Sequence, residues 1–127
     1  MKKQIEHVRE FHNAFGIKNL DKPNSNLSKE VFLLRHRLMH EENEEYLEAC
    51  KNGDLVEIAD ALGDMMYILC GTILSHGLHD KIENIFEEIQ RSNMSKLGAD
   101  GKPIYREDGK VMKGPNYFKP DIKKNLL

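Results

Sequence analysis

The 127-residue chain has no tract rich in proline, glycine or serine, and so no stretch whose composition alone would keep it from folding. It also lacks a surplus of positive charge. Its 19 basic and 21 acidic residues leave a formal net charge of -2, without the basic field that duplex nucleic acid requires of a partner. Cysteine is scarce: Cys50 and Cys70 fall in helix-like apolar patterns rather than as a close pair, and read as reduced packing residues of a cytoplasmic protein. The first seven residues are charged and polar with no apolar core behind them, which argues against a secretory signal. The longest apolar run, 65–74, is broken by Gly71 and is too short to cross a bilayer, so no membrane partner is expected. What remains, 39% hydrophobic and 31% charged residues, is the composition of one folded domain spanning 1–127.

The apolar spacing is helical almost throughout. Ile5, Val8, Phe11, His12 and Phe15 recur on one face and predict a first helix over 4–15, stopped by Gly16. A turn-forming stretch over 21–26 follows, and Asn26 or Ser28 can cap a long second helix reaching about residue 52. Gly53 ends it and Asp54 caps a third helix running to residue 75 or 76. Because almost nothing joins these two helices, they must be antiparallel neighbours. A fourth helix is predicted over 80–96, with Ile82, Ile85, Phe86 and Ile89 as its apolar stripe. Beyond it, Asp108-Gly109 suits a tight turn between two short strands, 105–107 and 110–112, and residues 121–126 can add a terminal helical turn. The expected fold is therefore all-α, a four-helix-bundle-like core with a short C-terminal β-hairpin or irregular tail.

The acidic residues carry the chemistry. At about 100° per residue, Glu41, Glu42 and Glu45 fall in the same sector of the second helix as Val31, Leu34, Leu38 and Ala49. A lone acidic run on a helix is usually a solvated face. On the third helix, however, Glu57, Asp60 and Asp64 also share one sector, amid a nearly all-round apolar surface that predicts a central, buried helix. Carboxylates crowded in a partly dry site repel one another unless cations neutralise them. With only oxygen donors on offer, Mg²⁺ is the expected ion and Mn²⁺ an acceptable one. His36 and His40 stand four apart, but no third nitrogen or sulfur ligand accompanies them, which leaves zinc a poor fit. No Glu-x-x-His pair occurs, which sets aside a di-iron bundle.

The run Glu41-Glu42-Asn43-Glu44-Glu45, followed by Glu57-Ile58-Ala59-Asp60 and Asp64, resembles the signature of the all-α nucleoside triphosphate pyrophosphatases. That MazG-like group includes the dimeric all-α dUTPases and phosphoribosyl-ATP pyrophosphohydrolase. Where many members have E-L-x-D, this chain reads Ala61-Leu62-Gly63-Asp64. Either Asp60 or Glu57 replaces the missing glutamate from the same face, which is the expectation, or the site takes one metal fewer. Glu10-Phe11-His12, Arg35, the 91–96 segment and the 108–121 tail extend the likeness over nearly the whole chain.

The resemblance implies an Mg²⁺-dependent hydrolase that cleaves a nucleoside triphosphate, dUTP or a non-standard nucleotide among the candidates, to the monophosphate and pyrophosphate. Glu41, Glu42, Glu45 and Asp64, helped by Asp60 and Glu57, would be its metal ligands, with Glu41 or Glu42 as general base. Arg35, Lys96 and Lys113 are candidates for phosphate contacts, and Asn93 for the sugar or base. It also implies a homodimer or higher homo-oligomer. The competing class is a non-enzymatic helical interaction module with an acidic face.

Overall fold

Short polar caps set the helix boundaries. The computed structural model describes residues 1–127 and contains α1 (Lys2–Phe15), α2 (Lys29–Lys51), α3 (Leu55–Ser75) and α4 (Ile82–Met94), then one 3-10 turn, Lys123–Leu126. Ser28 Oγ accepts from Val31 N at 3.3 Å, and Asp54 Oδ1 accepts from Glu57 N at 3.2 Å. Both side chains satisfy amides that the first helical turn leaves without partners.

Packing divides the chain into two compact units, 1–80 and 81–127. In the first, α3 lies against both α1 and α2. The α2–α3 connection is so short that the helices run antiparallel, and Arg35 near the start of α2 reaches Thr72 near the end of α3. Ile5 and Val8 of α1 are buried, as are Ala49, Ala61, Cys70, Ile73 and Leu74. Phe11 meets the Tyr67 ring edge-on, with centroids 5.5 Å apart, a preferred aromatic geometry.

The linker between α1 and α2 is fastened to the far end of α3. Leu20 N donates to Leu74 O at 3.1 Å, Asn24 N to His76 O at 3.0 Å, and His76 Nδ1 to Asn24 O at 2.9 Å. Gly77 makes this approach feasible: its φ is +67°, and a Cβ there would run into the backbone of Lys22.

Helix α3 is central to its unit but is not covered on all sides. Leu55 is 76% exposed, and Leu62, Met66 and Leu69 are also exposed. Its 21 residues are mostly apolar, and much of their surface is left uncovered within the chain. Length and composition would therefore suffice for a bilayer, as they do for many core helices of water-soluble folds.

The second unit corrects one expectation, because the tail contains no β-strand and no β-hairpin. The Asp108-Gly109 turn closes, with Arg106 N donating to Lys110 O at 2.8 Å, but only one isolated bridge forms, Tyr105 to Val111. Each arm is about three residues long, Pro103, Gly114 and Pro115 bound the segment, and no third strand supports it, so a ladder cannot propagate. The tail is instead strapped to α4 by polar contacts. Ser92 Oγ donates to Phe118 O at 2.8 Å, Phe118 N to Ser95 Oγ at 3.1 Å, and the Arg91 guanidinium lies 4.4 Å from the Phe118 ring centroid.

Candidate functional site

Antiparallel packing brings the middle of α2 against the first half of α3, and the carboxylates meet there. Oxygens of Glu42, Glu45 and Asp64 all lie within 4.8 Å of one another. Glu42 Oε2 is buried without any hydrogen-bond partner, a state that costs free energy unless something supplies a positive charge or a proton. Burial pushes the Glu42 carboxyl up to about 7, reinforced by a hydrogen bond to Glu45 and by the charges of Glu45, Asp64 and Asp60. Asp64 is raised too, by burial first and then by Asp60 and Glu45. A hard divalent cation fits this donor set: three clustered carboxylates, one with an orphaned buried oxygen, and no nitrogen or sulfur among them.

The remaining expected acids are placed differently. Glu41 is exposed and faces Arg37, 3.9 Å away. Asp60 is exposed yet close enough to raise both Glu42 and Asp64. Glu57 sits exposed in the first turn of α3, its amide held by Asp54. His36 and His40 are exposed and stacked, with ring centroids 6.5 Å apart.

The raised Glu42 has a measurable consequence for the metal-free protein. Its folded pKa of about 7 lies above the ordinary 4.5, so between these values the folded chain binds more protons than the unfolded one. Stability must then fall as pH rises through that window. The expected result is a melting temperature higher at pH 5.5 than at pH 8 in a chelating buffer, with the difference reduced when Mg²⁺ is added. A melting temperature that rises from pH 5.5 to pH 8 would contradict the arrangement.

Beside the acids, Arg35 is buried, at 8% exposure. Its Nε donates to Thr72 Oγ1 at 3.0 Å and its Nη2 to the Ile68 carbonyl at 2.8 Å, while no carboxylate pairs with it. His12, 2% exposed, is held through Nδ1 by Asn19 Oδ1 at 2.6 Å. Burial lowers its pKa, the Asn19 bond opposes this, and the nearby Arg35 charge adds to the lowering, which keeps the ring neutral. Gly71 accommodates both groups: a Cβ there would strike the Arg35 guanidinium and lie 2.9 Å from His12 Nε2. His12, Arg35, Glu42, Asp64, Phe11 and Tyr67 all open onto one cavity of about 310 Å³. Sequence spacing placed His12 merely in an apolar stripe. The signal was there, since a histidine or arginine at a core-facing position has to be satisfied by a specific partner.

Asn93, Lys96 and Lys113 belong to the second unit. Asn93 and Lys96 border a cavity of about 380 Å³ with Leu97 and Pro103, and Lys113 Nζ lies 4.7 Å from the Tyr117 ring centroid.

Comparison with known proteins finds one matching family and a similar solved structure. Residues 8–93 match the family model described as phosphoribosyl-ATP pyrophosphohydrolase, a segment that holds Arg35, Asn93 and all six expected carboxylates. The chain is also similar to a crystal structure assigned to an NTP pyrophosphohydrolase from Exiguobacterium sp. 255-15. The TM-score is 0.54 and the identity 25%, over 97% of this chain and 93% of that one. No curated protein gives a significant sequence match. With well over half of its length matched by the family model and its acids gathered where two antiparallel helices meet, the chain belongs to the phosphoribosyl-ATP pyrophosphohydrolase family of all-α NTP-pyrophosphohydrolase-like proteins.

Proposed function

We propose that this protein is an Mg²⁺-dependent pyrophosphohydrolase that converts a nucleoside or deoxynucleoside triphosphate, dUTP or a non-standard nucleotide among the candidates, into the monophosphate and pyrophosphate. The observation that carries the reading is the convergence of Glu42, Glu45 and Asp64, with Glu42 Oε2 buried and unpartnered. Those three residues, with Asp60 beside them, would hold the metal, and Mn²⁺ would serve in place of Mg²⁺. Bound there, the divalent ion neutralises phosphate charge and makes water a better nucleophile near neutral pH.

The side chains supply the rest. Water attacks the α-phosphorus in line, a P–O bond forms as the bond to the β-phosphoryl oxygen breaks, and pyrophosphate departs with those electrons. The proton lost by the water needs an acceptor. Of the two expected bases, Glu41 pairs with Arg37 whereas Glu42 faces the cavity, so Glu42 is assigned that role. Arg35, fixed by Thr72 and Ile68, offers its remaining N–H groups to a phosphate oxygen. For Asn93, Lys96 and Lys113 we propose further substrate contacts of the kind their groups offer, amide pairing and positive charge. The single domain is proposed to act as a homodimer or higher oligomer, supported by the uncovered apolar side of α3.

The test is product identity. With Mg²⁺ and a panel of canonical and non-standard triphosphates, pyrophosphate and the monophosphate should appear in equal amounts, with no free phosphate. Failure to turn over any nucleotide, or release of single phosphates, would overturn the assignment.

A further inference from the structure

The connection between α2 and α3 carries a chemistry that the acidic cluster does not use. It reads Asn52-Gly53-Asp54 and holds the one Asn-Gly step in the chain, since every other asparagine is followed by a residue with a side chain. The asparagine carboxamide is among the labile groups of a protein. What attacks it is the main-chain nitrogen of the next residue, and glycine leaves that nitrogen unshielded and the backbone free to turn. Asn52 and Gly53 are both exposed. No atom lies within 4 Å of the place where a Cβ of Gly53 would stand, so solvent reaches the bond.

In the closed turn the reacting atoms are held apart. Asn52 ends α2 with φ -85° and ψ -6°, which keeps the Gly53 nitrogen on the helical path and away from the Asn52 side chain. The Gly53 N–H donates to Cys50 O at 3.1 Å, and the Asp54 N–H donates to Ala49 O at 3.1 Å. On the other side Asp54 caps α3 through the Glu57 amide, 3.2 Å away. For the nitrogen to reach the carboxamide carbon, the bond to Cys50 must break and the Asn52 backbone must rotate. Little burial resists that opening, because Leu55 and Val56, the first residues of α3, are largely exposed. Helix ends with few buried contacts are where local opening is easiest.

We propose that Asn52 is a self-modification site whose reaction is gated by opening of the α2–α3 turn. The Gly53 nitrogen gives its proton to solvent base and bonds to Cγ of Asn52. The Cγ–Nδ2 bond breaks, and ammonia leaves with a proton taken from water. The cyclic imide then adds one water. Opening at the side-chain carbonyl yields aspartate on the original main chain. Opening at the main-chain carbonyl routes the chain through the side-chain carbon, one carbon longer, and frees an α-carboxylate. No electron is transferred, and neither metal nor nucleotide takes part. Either product adds a negative charge, and the longer one stretches the joint that sets how α2 and α3 meet.

The experiment incubates the purified chain in mildly alkaline buffer, folded and unfolded in guanidinium, and locates amide-to-acid conversion by peptide mass mapping. Asn52 should convert first in both states, and at least tenfold more slowly in the folded chain. Asp54→Ala removes the cap of α3 and should raise the folded rate severalfold. Asn52→Gln, whose longer side chain must close a larger ring, should abolish conversion at this position. The converted protein should melt below Asn52→Asp, which carries the acid on an unaltered main chain. Earlier conversion of another asparagine, equal rates in the folded and unfolded chain, or a folded rate unmoved by Asp54→Ala would each overturn the proposal.

Discussion

Replacing Glu42 by Gln or Asp64 by Asn should lower pyrophosphate release by about a hundredfold or more each, the scale expected when general-base or metal help is lost. Neither change alters side-chain volume much, so the loss should come from chemistry and not from misfolding. The same substitutions should raise the melting temperature of the chelator-treated protein. Each removes one negative charge from a cluster in which the carboxyls push one another up in pKa. Opposite signs for activity and stability are a signature that a purely structural role cannot produce. Glu41→Gln is the internal comparison: its carboxylate is exposed and paired with Arg37, so its effect on turnover should be much smaller. Activity within threefold of the unmodified enzyme in both Glu42→Gln and Asp64→Asn would remove the cluster from the reaction.

The second large effect is expected at Arg35. Arg35→Met keeps an unbranched apolar stem and deletes a buried positive charge that has no carboxylate partner. Thr72 Oγ1 still donates to the Ile68 carbonyl at 2.9 Å, so no buried polar group on α3 is left stranded. Replacement of a buried charge by a well-packed apolar side chain is often neutral or stabilising, and the melting temperature of the free protein should therefore hold or rise. The specificity constant kcat/KM for the nucleotide should meanwhile fall at least tenfold, about the worth of one charge-assisted contact. A variant that loses stability and activity together would indicate that Arg35 serves the fold rather than the substrate.

Much of this was readable from residues alone, where local chemistry decides. Asp54 marked the start of α3, and of the two caps open to α2, Asn26 and Ser28, the structure uses Ser28, because a capping side chain acts within its own first turn. The meeting of Glu42, Glu45 and Asp64 followed from two helical periods and a connection too short to allow anything but antiparallel packing. Features that depend on distant partners were less legible. The Asp108-Gly109 turn formed as its residues dictate, yet strands did not, because a ladder needs neighbours that no local pattern guarantees. Helix α3 reads as buried all round, but its Leu55, Leu62, Met66 and Leu69 remain uncovered within one chain. Arg35 falls among core-facing positions of α2, and nothing in its own neighbourhood of sequence names Thr72, Ile68 or His12 as its surroundings.

Gly71 carries one more implication. Its missing side chain is the space that the Arg35 guanidinium and the His12 ring jointly use, so positions 12, 35 and 71 form one steric unit drawn from three different helices. A larger residue at 71 can be tolerated only alongside a shorter one at 35 or 12, and among relatives these three positions should change in concert.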